Sequence, residues 1–202
     1  MIAIFDYGAG NLRSVANTLD ALGVSYQIAR GASGLRQAAK IILPGVGHFG
    51  QMMRAVDELG ARETLVERIR QGVPFLGICL GLQALFERSA EAPEAAGLGL
   101  FPGLIERFPP QTRAPHMGWN QLQINGSPRL FQGLPQRPYF YFAHSYYLPD
   151  QVAGQLAAAT VEYQVRYAAA IEQGNLFAVQ FHPEKSGPLG QRVVENFLRV
   201  GD

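Results

Sequence analysis

Residues 74–83 read PFLGICLGLQ, and Cys79 at their centre is the only cysteine in the 202-residue chain. An apolar run enters it, glycines stand at 77 and 81, and a helix-compatible sequence leaves it. This order predicts a cysteine at the carboxyl end of a β-strand and the amino end of a helix. In a parallel α/β sheet ligands bind at that edge. The thiol has two readings. It is a small buried hydrophobe, the usual fate of a free cysteine in a core, or a nucleophile whose thiolate is favoured by the dipole and unpaired N–H groups of the helix start. The flanking glycines allow a sharp turn and close backbone approach, so G-I-C-L-G has the form of a nucleophile elbow with sulfur replacing a hydroxyl.

Upstream, residues 2–7 predict a buried strand, after which GAGN turns the chain into a helix with Leu12, Val15, Ala16, Leu19 and Leu22 on one stripe. Asn11 is the expected cap at its start and Gly23 at its end. Residues 24–29 read as a second strand and residues 40–45 as a third, broken at Pro44. Helical patterns follow over 50–59 and 62–71, separated by Gly60 and stopped by Gly72. A fourth strand over 73–78 feeds the Cys79 turn and a helix over 80–88. Strands alternating with helices predict a parallel sheet wound by right-handed crossovers. From about Gly97 the pattern changes to short strands, over 97–108, 120–125, 139–148, 157–163, 167–175 and 176–181, closed by a helix over 191–200. The expected fold class is α/β, a doubly wound, mostly parallel sheet with antiparallel additions in the C-terminal half. No repeat, low-complexity segment or long linker divides it, so residues 1–202 are expected to form a single domain.

Composition narrows the partners. Hydrophobic residues make up 48% of the chain, enough for one core. Net charge is +1 with scattered arginines, which leaves no nucleic-acid or membrane footprint and favours a small-molecule or protein partner. A lone cysteine makes no intrachain disulfide, and Met1 leads straight into IAIFDY without a signal-peptide pattern, so a cytoplasmic location is expected. Apolar stretches fall far short of the ~20 residues of a membrane span.

A nucleophilic cysteine benefits from a base, and the base from a group that orients it. Of four histidines, His182 has a carboxylate at a fitting spacing, because QFHPEKS places Glu184 two positions on. In an extended segment such residues point the same way, and Pro183 restricts the backbone toward that geometry. A histidine and glutamate in a surface loop are the plain alternative; the elbow in the same chain favours catalysis. GAGNLR after a strand is a weak dinucleotide signal, since Arg13 replaces the third glycine of G-x-G-x-x-G and no acidic residue ends the second strand. With no G-K-[ST] either, no cofactor and no metal are expected.

GICLGLQ together with HPE resembles the class I (triad) glutamine amidotransferases. Within that family IFDYGAGNLRSV, LPGVGHF, HMGWN and AHSYY are similar to the glutaminase subunits of imidazole glycerol phosphate synthase in histidine biosynthesis. The resemblance spans the chain and implies a class I glutamine amidotransferase-like fold of three flavodoxin-like layers. It implies that Cys79 attacks the side-chain amide of L-glutamine, that His182 moves the proton, that Glu184 holds the imidazole, and that a glutamyl thioester is hydrolysed. The oxyanion donors would be the N–H of Leu80 and one at Val46 or Gly47, where glycines on both sides of Val46 suggest a switchable peptide. Gln83 and Glu91, with Glu94 as a nearby competitor, and the backbone at Ser145 and Tyr146 would hold the glutamine. His144 reads as a structural histidine. Asn11, Trp119, Asn120 and Lys185 would face a partner, for Trp119 against the alternative of a core position. That partner would be a (β/α)8-barrel cyclase subunit, in a heterodimer, that receives ammonia through an internal channel and makes imidazole glycerol phosphate and an aminoimidazole carboxamide ribotide. The chain alone has no room for an acceptor site and would be nearly inactive. The rival readings are a cysteine hydrolase, a class I amidotransferase feeding another acceptor such as chorismate or a nucleotide, and a non-catalytic redox or binding module on the same fold. The last of these leaves the HPE pair without a role.

Overall fold

The structure, a computed structural model, describes residues 1–9 and 11–201; Gly10 of the GAGN turn and Asp202 lie outside the described residues. The first half alternates β1 (Ile2–Phe5), α1 (Leu12–Ala21), β2 (Tyr26–Ala29), α2 (Ala32–Arg36), β3 (Lys40–Gly45), α3 (Phe49–Glu58), α4 (Arg62–Arg70), β4 (Phe75–Cys79) and α5 (Leu80–Gln83). The second half runs β5 (Phe86–Ser89), β6 (Phe101–Arg107), β7 (His116–Ile124), β8 (Tyr139–His144), β9 (Tyr146–Pro149), α6 (Asp150–Ala153), β10 (Ala157–Tyr163), β11 (Val165–Gln173), β12 (Leu176–Val179) and α7 (Gly187–Leu198).

The sheet order is β2-β1-β3-β4-β12-β11-β10-β7-β8, with β5, β6 and β9 off this path. The first five strands are mutually parallel, and β11, β10, β7 and β8 continue antiparallel. Every residue of β1, β4 and β12 is buried, which explains why these strands read as unbroken apolar runs: helices cover both faces. Alternate side chains therefore feed two cores. Ile2 and Ile4 join Val15 and Leu19 of α1 and Val193, Val194 and Phe197 of α7 on one side. Ala3 and Phe5 join Met52, Met53 and Val56 of α3 and Leu65 of α4 on the other. The three layers are the doubly wound arrangement.

Three local expectations change. The helix expected over 80–88 stops after one turn, and residues 86–89 form β5, which pairs in parallel with β6 through Phe86↔Phe101 and Ser89↔Ile105. Phe86 and Ser89 are buried while Glu87 and Arg88 are exposed, so sheet pairing overrides the helix-forming composition of this stretch. Pro44 does not break β3; the parallel register continues through Pro44↔Ile78 to Gly45↔Cys79. The loop after β3 is thereby set beside the elbow. Asn11 precedes α1 without a side-chain cap bond, its Oδ1 accepting from the Ser14 hydroxyl instead of a backbone N–H.

Candidate active site

Cys79 has φ 54° and ψ −105°, a backbone conformation that non-glycine residues avoid and that tends to mark functional turns. The neighbouring glycines make it possible. A Cβ on Gly81 would run into the carbonyl oxygen of Leu43, and one on Gly77 would lie 2.6 Å from that of Gly81. The helix that follows is a single turn, so the expected dipole is modest. Side chains support the sulfur instead. Gln180 Nε2 donates to Cys79 Sγ at 3.5 Å, and the His182 ring hydrogen-bonds to Cys79.

His182 lies just past β12, the strand next to β4, which brings HPE back to the elbow. Its Nδ1–H donates to Glu184 Oε1 at 2.8 Å, with both side chains only 2% exposed. Burial pushes this imidazole down, but the hydrogen bonds to Cys79 and Glu184 and their negative charges outweigh it and raise the pKa from 6.5 to about 10. Asn11 Nδ2 donates to the same Glu184 oxygen at 3.2 Å, and Ser14 Oγ donates to Asn11 Oδ1 at 2.7 Å. The Asn11 oxygen expected to cap α1 thus accepts from the Ser14 hydroxyl, and its Nδ2 is directed to the Glu184 carboxylate.

Cys79, Leu80, Val46, Gly47, Gln83, Glu91, Ser145 and Tyr146 line one cavity of about 240 Å³. Glu91 accepts from Phe49 N–H at the start of α3 at 2.7 Å, whereas Glu94 lines a separate cavity with Arg54 and Arg62. Gln83 Nε2 donates to Tyr146 O at 2.9 Å and to Gln180 Oε1 at 3.1 Å. Both of its N–H bonds are used within the protein, so it offers a ligand only its carbonyl oxygen. Tyr146 O accepts from both Gln83 Nε2 and His144 Nδ1–H. Val46 N–H, one of the expected oxyanion donors, is bonded to Tyr7 Oη at 3.0 Å.

Sequence reasoning missed a buried polar relay behind this cavity. His144 Nδ1–H donates to Tyr146 O at 2.8 Å, so its Nε2 accepts from Tyr167 Oη at 2.9 Å, and Tyr167 in turn accepts from His116 Nδ1–H at 2.8 Å. Burial pushes His144 down to about 3 and His116 to about 4, which keeps both neutral and fixes these tautomers. His144, which reads from the sequence as a hydrogen-bonded structural histidine, has both ring nitrogens bonded within the protein. Asn120 Nδ2 lies 3.4 Å from His116 Nε2 and donates to Glu162 O at 3.0 Å.

Outside the cavity mouth Trp119 is 56% exposed and packs edge-on against Tyr141, over whose ring Lys185 Nζ sits at 5.8 Å. Met117 and Tyr139 are also exposed on β7 and β8. Among the described residues no group of His, Cys, Asp and Glu is arranged to hold a metal ion, and no helix is long and apolar enough to cross a membrane.

The family model described as glutamine amidotransferase class-I matches residues 3–200. The chain belongs to that family. It is 47% identical over 200 residues to imidazole glycerol phosphate synthase subunit HisH of Methanothermobacter thermautotrophicus, covering 99% of this chain and 98% of that protein. Against the HisH subunit of Deinococcus radiodurans it is 42% identical over 200 residues, covering 98% and 93%. Both relatives put the chain in the HisH group. A solved glutamine amidotransferase superposes with a TM-score of 0.77 at 21% identity (98% of this chain, 96% of that one). For a chain of PurLQS from Thermotoga maritima the values are 0.76 and 18%, with the same coverage. At those identities the two structures speak for the fold. The HisH-type protein is a glutamine amidotransferase subunit.

Proposed function

We propose that this protein, acting as the glutaminase subunit of imidazole glycerol phosphate synthase in histidine biosynthesis, hydrolyses L-glutamine at Cys79 and passes the ammonia to a partner. The observation that carries the reading is the meeting of a buried histidine–glutamate pair and an amide donor to sulfur at a strained cysteine elbow that lines a cavity. Cys79 thiolate attacks the glutamine side-chain carbon, and the electron pair of the carbonyl moves to oxygen. Leu80 N–H, next to the nucleophile, stabilises that oxyanion. His182, held in one tautomer by Glu184, gives its proton to the departing ammonia. It then takes a proton from the water that cleaves the glutamyl thioester, releasing glutamate and restoring the sulfur. Gln83 through its carbonyl oxygen and Glu91 through its carboxylate suit the α-ammonium group of glutamine.

The exposed Met117, Trp119, Tyr139 and Lys185 surface beside the mouth suits a docking partner, because large aromatic side chains and apolar area concentrate in interfaces. A (β/α)8-barrel cyclase in a heterodimer fits this reading, with the whole chain acting as one amidotransferase domain in the cytoplasm. The test is glutamate release with and without the purified barrel subunit. Turnover is expected to rise by about 10² or more on adding the barrel loaded with its own substrate; equal, robust turnover by the isolated chain would overturn the coupled reading.

A further inference from the structure

The loop between β3 and α3 is held at both ends. Its start is fixed by the Gly45↔Cys79 register. At its end His48 Nδ1 accepts from Gly50 N–H at 3.1 Å and Glu91 accepts from Phe49 N–H at 2.7 Å. The span free to turn is Val46 and Gly47, and Gly47 has φ 95°, a conformation open to glycine. One side chain holds this span. Tyr7 Oη accepts from Val46 N–H at 3.0 Å and donates to Val46 O at 3.0 Å. Tyr7 is buried, and burial pushes its phenol up to about 12, so the hydroxyl keeps its proton to donate.

We propose that Tyr7 is a positioning residue that latches the Val46 peptides in a resting orientation, withholding the Val46 N–H from the oxyanion at Cys79 until the latch opens. The inference rests on the glutaminase reading above. An N–H bonded to the phenol cannot also meet an oxyanion, and a single hydroxyl engaging both backbone groups of Val46 resists rotation of the peptides on either side. Opening the latch exchanges two neutral hydrogen bonds for one to a developing negative charge, which is the stronger kind.

Tyr7→Phe keeps the ring and removes both bonds. Without a barrel partner, kcat for glutamine is expected to rise about tenfold, equivalent to about 1.4 kcal/mol, with KM changed less than about twofold. Hydrogen exchange at the Val46 amide, followed in the same intact protein, is expected to accelerate by about tenfold. An unchanged or lower kcat overturns the latch, and so does unchanged exchange at Val46. If neither wild type nor variant hydrolyses glutamine even with the barrel bound, the glutaminase reading fails, while the exchange measurement still decides the latch.

Discussion

Two buried histidine systems of this fold end in opposite charge states. His182 is 2% exposed and its pKa is raised to about 10; His116 is also 2% exposed and is pushed down to about 4, with His144 pushed down to about 3. Burial disfavours the imidazolium in all three. What differs is the company. His182 meets Cys79 and Glu184, both able to carry negative charge, whereas His116 and His144 meet a phenol, an amide and a carbonyl. The first system can therefore move a proton. The second, held neutral with every donor pointing in one sense, fixes the Tyr146 carbonyl and through it the Gln83 amide that lines the cavity. Residue type and burial are the same; the neighbouring charge assigns the role.

The sharpest way to break the comparison is to make the first system resemble the second. Glu184→Gln replaces the carboxylate by a neutral amide of the same shape. We expect kcat for glutamine to fall by about 10²–10⁴ with the fold retained, as when the orienting acid of a triad is neutralised. Activity like that of wild type would remove Glu184 from the triad.

A smaller effect appears in stability against pH, and its sign differs between the systems. The folded pKa of His182 lies above 6.5, so its stabilising contribution is complete below pH 6.5 and is lost as pH rises through about 10. His116 and His144 lie below 6.5, so their contribution is complete above pH 6.5 and is lost as pH falls through about 4 and then about 3. Urea denaturation across pH should show His182→Gln flattening the alkaline limb. His116→Gln should flatten the acid limb by a lesser amount, because one of two neutral histidines remains. Identical pH profiles for wild type and both variants would contradict these assignments.

Much of the first system was legible in the sequence because its signals are local. Glycines two positions to either side of Cys79 announce a turn that no other residue type would fit, and His182, Pro183 and Glu184 are consecutive. The parallel half of the sheet was legible for a similar reason, since each βα unit carries its own apolar run and stripe. The second system is built from β7, β8 and β11, and nothing in one of those segments indicates that a tyrosine from another will bridge its histidine. The same applies to Tyr7, which reaches Val46 across 39 positions. Gln180 had a faint signal: it stands two residues before His182, on the same side of an extended segment. The segment after Gln83 was misread because LGLQALFER is composed of good helix formers, while its fate is decided by pairing with β6.

The central claim is that Cys79 makes ammonia that another subunit consumes, and the most direct test uses Cys79→Ala in complex with the barrel partner. Product formation would be followed once with glutamine and once with an ammonium salt as the nitrogen source. The account predicts at least about a 10³-fold loss with glutamine, the scale expected for removing a covalent nucleophile, and an unchanged rate with ammonium. Retained glutamine-dependent synthesis, or loss of both activities together, would contradict it.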